Sequence, residues 1–342
     1  MVRRLSALIL VVVLAASVAL VAGCGAKIKG VNDGTFVGTT AADDHGNYGI
    51  ATITIEGGKY KDVKYVEISG RDHQPKTTAN YTYQDGLNAI AALPKALLEK
   101  QDIDKVDVIA KATGTSNTFK AAVKSALANA SKDAKTGMVD GTYEITTSAD
   151  SHGYYKKGSI TVAGGAVTAV NYNEYNAENK PKSEIGYKHQ PAVDAIAALP
   201  GKLVEAKGDV SKVDVVAGAT STTNTFKSMM QTLEWLAAAK DGSYSFTGEP
   251  DSHGYKVQAT LVINNHKIVD ALYTEISVEK NLPKTDPAVG YTHQPALDAI
   301  NSLPGAFVKA QFTGGVDAVA GATGTTNSFK TVMEKLLQEA GK

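Results

Sequence analysis

The chain has 342 residues with 35 basic and 35 acidic side chains, so its formal net charge is zero, which argues against a nucleic-acid or other polyanionic partner. Its single cysteine rules out a disulfide framework and any cysteine-rich zinc or iron–sulfur site within one chain. A 43% hydrophobic content suffices for ordinary packed cores and is too low for a multi-span membrane protein.

Residues 1–24 read MVRRLSALILVVVLAASVALVAGC. Arg3 and Arg4 precede an apolar run from Ala7 to Leu20, and small residues follow. That is the layout of a secretory signal, although the run also approaches membrane-spanning length. The only cysteine, Cys24, stands at the expected cut. The segment resembles a bacterial lipobox, which implies cleavage after Gly23 and a diacylglycerol on the Cys24 sulfur; a retained N-terminal anchor is the alternative. Both place the body outside the cytoplasm. Residues 1–23 are then a lipoprotein signal peptide and 24–29 an anchor linker. The mature chain has a formal charge of −2, because Arg3 and Arg4 leave with the signal, and Arg71 is its only arginine.

The rest repeats itself. Asp33-Gly34-Thr35 returns as Asp140-Gly141-Thr142 and Asp241-Gly242-Ser243. Asp44-His45-Gly46 returns as Ser151-His152-Gly153 and Ser252-His253-Gly254. Near the end of each copy stand VDVIAKATGTSNTFK (106–120), VDVVAGATSTTNTFK (213–227) and VDAVAGATGTTNSFK (316–330). The period, 107 residues and then 101 to 103, suits a small globular domain and not a solenoid. The boundaries read 30–136, 137–239 and 240–342.

Within the first copy, Thr52–Ile55, Gly57-Gly58 and Val63–Ile68 predict a hairpin. The same pattern recurs at 159–172 and, around an Asn264-Asn265 turn, at 259–273. A helix is expected over Gln84–Lys100, broken or kinked at Pro94. A short strand, Val106–Ile109, then leads through the Ala-Thr segment into a last helix with a Phe119, Val123, Ala126, Leu127, Ala130 stripe. The fold class is α+β: three copies of an antiparallel sheet followed by helices.

The repeated turn into the last helix gathers small residues and hydroxyls where free backbone N–H groups emerge, a place suited to phosphate. No Gly-Lys-Ser/Thr follows it and no G-x-G-x-x-G opens the helix, so it is neither a P-loop nor a dinucleotide fingerprint. The plain alternative is a Thr helix cap, but a cap needs only one hydroxyl residue. All three copies keep an Asp six residues ahead of the Thr and an Ala directly before it.

Asp214-Val-Val-Ala-Gly-Ala-Thr220 and Asp317-Ala-Val-Ala-Gly-Ala-Thr323 resemble the flavinylation motif of the bacterial FMN-binding domain family, as in sodium-pumping quinone reductases and extracellular flavoproteins. The resemblance covers the mature chain three times. It implies FMN joined by a phosphoester to Thr113, Thr220 and Thr323, made from FAD by a separate flavin transferase. It also implies cofactor contacts from Asp107, Ala112, Asp214, Ala217, Gly218, Ala219, Asp317, Ala320, Gly321 and Ala322. Two departures stand out. Ala110, Ala217 and Ala320 replace the family's Ser or Thr, and Lys111 replaces the glycine of the other copies. If that glycine takes a positive φ, lysine strains the turn; it can also pair with phosphate.

Tyr187, His189, Tyr291 and His293 are candidate flavin-ring contacts, by stacking or hydrogen bonding; a loop capping the next helix is the alternative. The first copy has Ala79-Asn80-Tyr81-Thr82-Tyr83-Gln84 there, without histidine. His45, His152 and His253, each with one nearby carboxylate, fall short of a zinc site and read as structural turns or flavin contacts. No metal is expected. The Pro-Lys steps at Lys76, Lys182 and Lys284 read as solvated turns or as charge near the flavin.

These residues predict a lipid-anchored extracytoplasmic electron carrier with up to three covalent FMN groups and no catalytic residues of its own. Its partners would be the flavin transferase, a membrane dehydrogenase or quinol-linked donor, and an extracellular acceptor or reductase. The competing class is a repeat-built surface lipoprotein that binds a ligand or wall partner without flavin. A flavin-dependent reductase is a third reading, for which no additional catalytic domain is present.

Overall fold

A computed structural model describes residues 27–134, 137–150 and 152–342. The expected signal peptide and Cys24 lie outside the described residues. The fold is mixed α+β, in three sheet-and-helix units. The first is β1 (Gly34–Thr39), β2 (Tyr48–Glu56), β3 (Lys59–Ile68), α1 (Gln84–Lys100) and α2 (Thr113–Ala130). The second is β4 (Gly141–Thr146), β5 (Tyr155–Ala163), β6 (Ala166–Tyr175), α3 (Gln190–Glu205) and α4 (Thr220–Ala238). The third is β7 (Gly242–Thr247), β8 (Tyr255–Asn264), β9 (Lys267–Ser277), the two-residue β10 (Leu282–Pro283), α5 (Gln294–Ala310) and α6 (Thr323–Ala340).

Each sheet is an antiparallel meander. In the first, Gly34 faces Ile55 and Thr39 faces Ile50, and β2 pairs with β3 through an irregularity at Thr54/Ile55. The hairpin turns need two consecutive positive φ angles, which glycine supplies at no steric cost. Gly57 and Gly58 have φ of 59° and 73°, and Gly164 and Gly165 have 61° and 74°. In the third unit the turn is Asn265-His266, at 48° and 59°, one residue later than the sequence suggests. Asn and His tolerate this region better than most side chains. The repeated Asp-Gly opening acquires a role here. Asp33 accepts the N–H groups of Gly57 and Gly58, Asp140 that of Gly165, and Asp241 that of Asn265. These backbone bonds hold the Asp33 carboxyl below its usual pKa.

The helices cover the sheets. In the first unit α1 packs on β3, and α2 on β1 and β2. Ile53, Leu93, Leu97, Phe119, Val123 and Ala126 are fully buried between them. An edge-on aromatic pair joins sheet to last helix in every unit: Tyr65–Phe119 at 5.0 Å, Tyr172–Phe226 at 5.3 Å and Tyr273–Phe329 at 5.4 Å. Gly38 lets α2 approach β1, since a Cβ there would lie 2.1 Å from the Ala126 nitrogen.

One local expectation is narrowed and one is corrected. Helix α1 runs through Pro94 without a break. The proline costs about 3 kcal/mol in a helix interior, and burying Leu93 and Leu97 on either side, at about 1.5–3 kcal/mol each, offsets it. Val106–Ile109 is not a strand: the chain passes from a 3-10 turn, Ile103–Lys105, through irregular backbone into α2. The Ile109 N–H bonds the Ser116 hydroxyl at 3.0 Å and has no strand neighbour to pair with.

The chain divides into two compact bodies. One takes in the first unit with Lys240–Ser245 and Val262–Asn265; the other holds the remainder, including most of the second and third units. Within this second body α4 packs on α6, and His266 both meets the Tyr143 ring edge-on at 5.1 Å and bonds the Leu236 carbonyl at 2.8 Å.

Candidate functional site

The segment before each last helix has one geometry in all three units. The N–H of Ala112 bonds the carbonyl of Ile109 at 3.0 Å, that of Ala219 bonds Val216 at 2.9 Å, and that of Ala322 bonds Val319 at 2.9 Å. The third residue of each four-residue turn has positive φ: 62° at Lys111, 73° at Gly218 and 75° at Gly321. A type II turn requires this. The glycines of the second and third units are thus explained, and Lys111 carries the strain. A side chain at Gly218 would also press on Pro191, whose Cβ would stand 3.1 Å from the new atom; Pro295 does the same at Gly321. The first unit has Asp85 where those prolines stand.

Ala112, Ala219 and Ala322 occupy the cap positions and make no side-chain cap bond. The plain reading, a threonine cap, is therefore corrected: Thr113, Thr220 and Thr323 are the first helical residues. The first helical bonds are made by the N–H groups of Ser116, Thr223 and Thr326 to the cap carbonyls, so the N–H groups of the first three helical residues have no intrahelical acceptor. All three threonines are exposed. Behind them lies a hydroxyl the sequence did not single out. Ser116, Thr223 and Thr326 are buried; each donates to the cap carbonyl and accepts the N–H of Ile109, Val216 or Val319. It ties the turn to the helix that the threonine begins.

A second clamp comes from the preceding loop. His189 bonds the Gly218 carbonyl at 2.7 Å through Nε2. At the same place in the first unit, Tyr83 donates to the Lys111 carbonyl. Asp107, Asp214 and Asp317 are exposed, as are Ala110, Ala217 and Ala320. Asp107 forms an ion pair with Lys100, and that bond holds its carboxyl below the usual value.

The Pro-Lys steps are not solvated turns. The side chains of Lys76, Lys182 and Lys284 are buried and paired with Glu67, Glu174 and Glu275, three glutamates the sequence did not flag. Each glutamate also accepts a tyrosine hydroxyl, from Tyr65, Tyr172 and Tyr273 at 3.0, 2.8 and 3.1 Å. Lys182 stands 4.5 and 4.4 Å from the ring centres of Tyr154 and Tyr187; Lys284 stands 4.1 and 4.5 Å from those of Tyr255 and Tyr291. In the first unit Lys76 has only Tyr81, at 4.5 Å, because Asn47 replaces the other ring. Burial works against the Lys182 charge, but bonding and attraction to Glu174, with Tyr187 adding to them, raise its pKa. Burial and the Glu174 charge push the Tyr172 phenol well up.

The histidine turns are each built on an aspartate. Asp43 accepts the N–H groups of His45 and Asn47, Asp150 those of His152 and Tyr154, and Asp251 those of His253 and Tyr255. Among the described residues no three His, Cys, Asp or Glu side chains gather as a metal site, and no helix is long and apolar enough to cross a membrane.

Around Thr220 these parts converge. A cleft of about 700 Å³ is lined by Thr220, Gly218, Ala219, His189, Tyr187, Tyr154, Lys182 and His152. It thus unites the turn, the histidine clamp, the tyrosine-flanked lysine and the histidine turn of one unit. Its size falls in the usual range for small-molecule sites.

Residues 29–128 match the model of the FMN-binding domain family, so the chain carries an FMN-binding domain in its first unit. A solved structure, the CPE2226 protein from Clostridium perfringens, is 33% identical over 29% of this chain and 88% of its own length, with a TM-score of 0.27. No curated protein matches.

Proposed function

We propose that the protein is an extracytoplasmic, lipid-anchored electron carrier that bears FMN covalently on Thr220 and Thr323, and on Thr113 in the unit that the family model matches. The observation that carries this reading is the start of α4. An exposed threonine opens a helix whose cap residue has no side-chain acceptor, at the wall of a cleft large enough for a cofactor. The residues fit a phosphate. Free N–H groups and a helix N-terminus favour an anion, and Gly218 leaves the approach clear of a side chain. Ala217 withholds the further hydroxyl of the family motif.

Bound FMN supplies the capacity to take up and release electrons, and the protein supplies orientation and charge. Thr223 and His189 fix the turn. Tyr154 and Tyr187 offer aromatic edges and faces to the cleft, and Lys182 a positive charge balanced by Glu174. A covalent tether suits a protein outside the cell, where a dissociated cofactor would be diluted away. The basic start, apolar run and Cys24 of residues 1–24 support export and lipidation. The partners follow from that role: a flavin transferase for maturation, a membrane dehydrogenase or quinol-linked donor, and an extracellular acceptor or reductase.

Intact mass tests the reading. The full chain produced with a flavin transferase should exceed the chain produced without it by whole FMN units. Thr220→Ala and Thr323→Ala should each remove one unit. Equal masses with and without the transferase would overturn the carrier reading and favour a ligand-binding lipoprotein.

A further inference from the structure

Part of the lining of the Thr220 cleft is not made by the second unit. It is made by the third, from Ser302, Leu303, Ala306, Lys309 and Ala310 of α5, and by the segment that runs on to Val319. Both parts of the lining belong to the same compact body. The approach of that segment to α4 is close: a Cβ on Gly314 would lie 2.9 Å from the Ser228 hydroxyl.

Lys309 is the informative residue. Counted from the start of the helix, its counterparts in the first two units are Glu99 and Glu205. A lysine therefore replaces an acid at a position of α5 that lines the Thr220 cleft. The other lysines there are paired, while Asp317 is not held in an ion pair among the described residues. Lys156 pairs with Asp150, Lys182 pairs with Glu174, and Asp317 lies in the field of Lys330. Lys309 has no ion pair among the described residues and is exposed. Nor does it serve its own unit's motif. Pro295, at the start of α5, lies against Gly321, and Lys309 follows about 21 Å further along the helix.

We propose that the third unit completes the cofactor site of the second, with α5 contributing to its lining and Lys309 supplying positive charge to an FMN on Thr220. This rests on the attachment reading above. A phosphodiester is anionic, and reduced flavin carries more negative charge than oxidised flavin, so a nearby ammonium favours the reduced form. The third unit thereby sets the potential of its neighbour's flavin.

The test uses the full chain matured with a flavin transferase in two backgrounds. Thr113→Val with Thr323→Val leaves a flavin on Thr220 only, and Thr113→Val with Thr220→Val leaves one on Thr323 only. Peptide masses verify the loading, and a spectroelectrochemical titration reads the midpoint potential. Lys309→Glu should lower the potential of the Thr220 flavin and leave that of the Thr323 flavin in place, and Lys309→Arg should hold the wild-type value. An unchanged potential at Thr220, or an equal fall at both sites, overturns the inference while the attachment reading stands. Peptides with no FMN on Thr220 overturn the attachment reading and the inference with it.

Discussion

Lys111 occupies the left-handed region, φ 62°, where the other two units use glycine. For a side chain with a Cβ this region costs about 1–2 kcal/mol. Lys111→Gly should therefore stabilise the first unit by about 1 kcal/mol, read as a rise in the urea midpoint. Gly218→Ala should destabilise by more, because the same backbone cost is joined by the contact with Pro191. The pair of results separates backbone strain from crowding: Asp85 replaces proline beside Lys111, and only the strain term remains. The positive φ was legible from the glycines themselves. What was not legible is that Tyr83 takes over the bond of His189, since nothing in residue type links a phenol to an imidazole until both are seen on the same carbonyl. The lysine–glutamate pairs were hidden for a related reason. Lys182 follows a proline in a polar loop, and its partner Glu174 stands inside a strand, so each looks solvated until the tyrosines close over them.

At the scale of elements, the hairpins of the first two units follow from glycine pairs and the helices from apolar spacing, and α1 begins and ends where its spacing predicts. The motif segment does not, because a Val-Asp-Val-Ile run reads as a strand by composition. A strand needs a neighbour, and here the backbone N–H is taken by a helical hydroxyl instead. That hydroxyl has a measurable weight. Thr223→Val keeps the shape of the side chain but strands the Val216 N–H and removes a bond to the Ala219 carbonyl. A loss of about 1–2 kcal/mol is expected in equilibrium unfolding. A drop in the fraction of chains carrying FMN at Thr220 should accompany it in peptide mass spectra, since the turn would no longer be held. Thr223→Ser keeps the hydroxyl and should retain both properties.

At the scale of the whole chain, repetition hides individual departures, and one of them makes stability depend on pH. Glu234 lies on α4 where the other last helices have Leu127 and Leu337. One of its carboxyl oxygens has no hydrogen-bond partner, and the other accepts from Gln231 at 3.2 Å. Burial first, and the negative charge of Asp209 second, push its pKa up to about 8 from an ordinary 4.5. The folded chain therefore keeps a proton that the unfolded chain releases above pH 4.5. Its contribution is fully present below that value and is lost as the pH rises towards 8, at no more than about 1.4 kcal/mol per pH unit. Melting temperatures should fall across this window, most clearly for the body formed by the second and third units. Glu234→Gln should remove that slope and raise the melting temperature at pH 8 relative to the parent, because a neutral amide meets the same burial without having to ionise. A pH slope that survives the substitution would assign it to other groups. Loss of the slope would tie the pH limit of the molecule to the helix that also carries Thr220, so that cofactor site and stability would be weakened together under alkaline conditions.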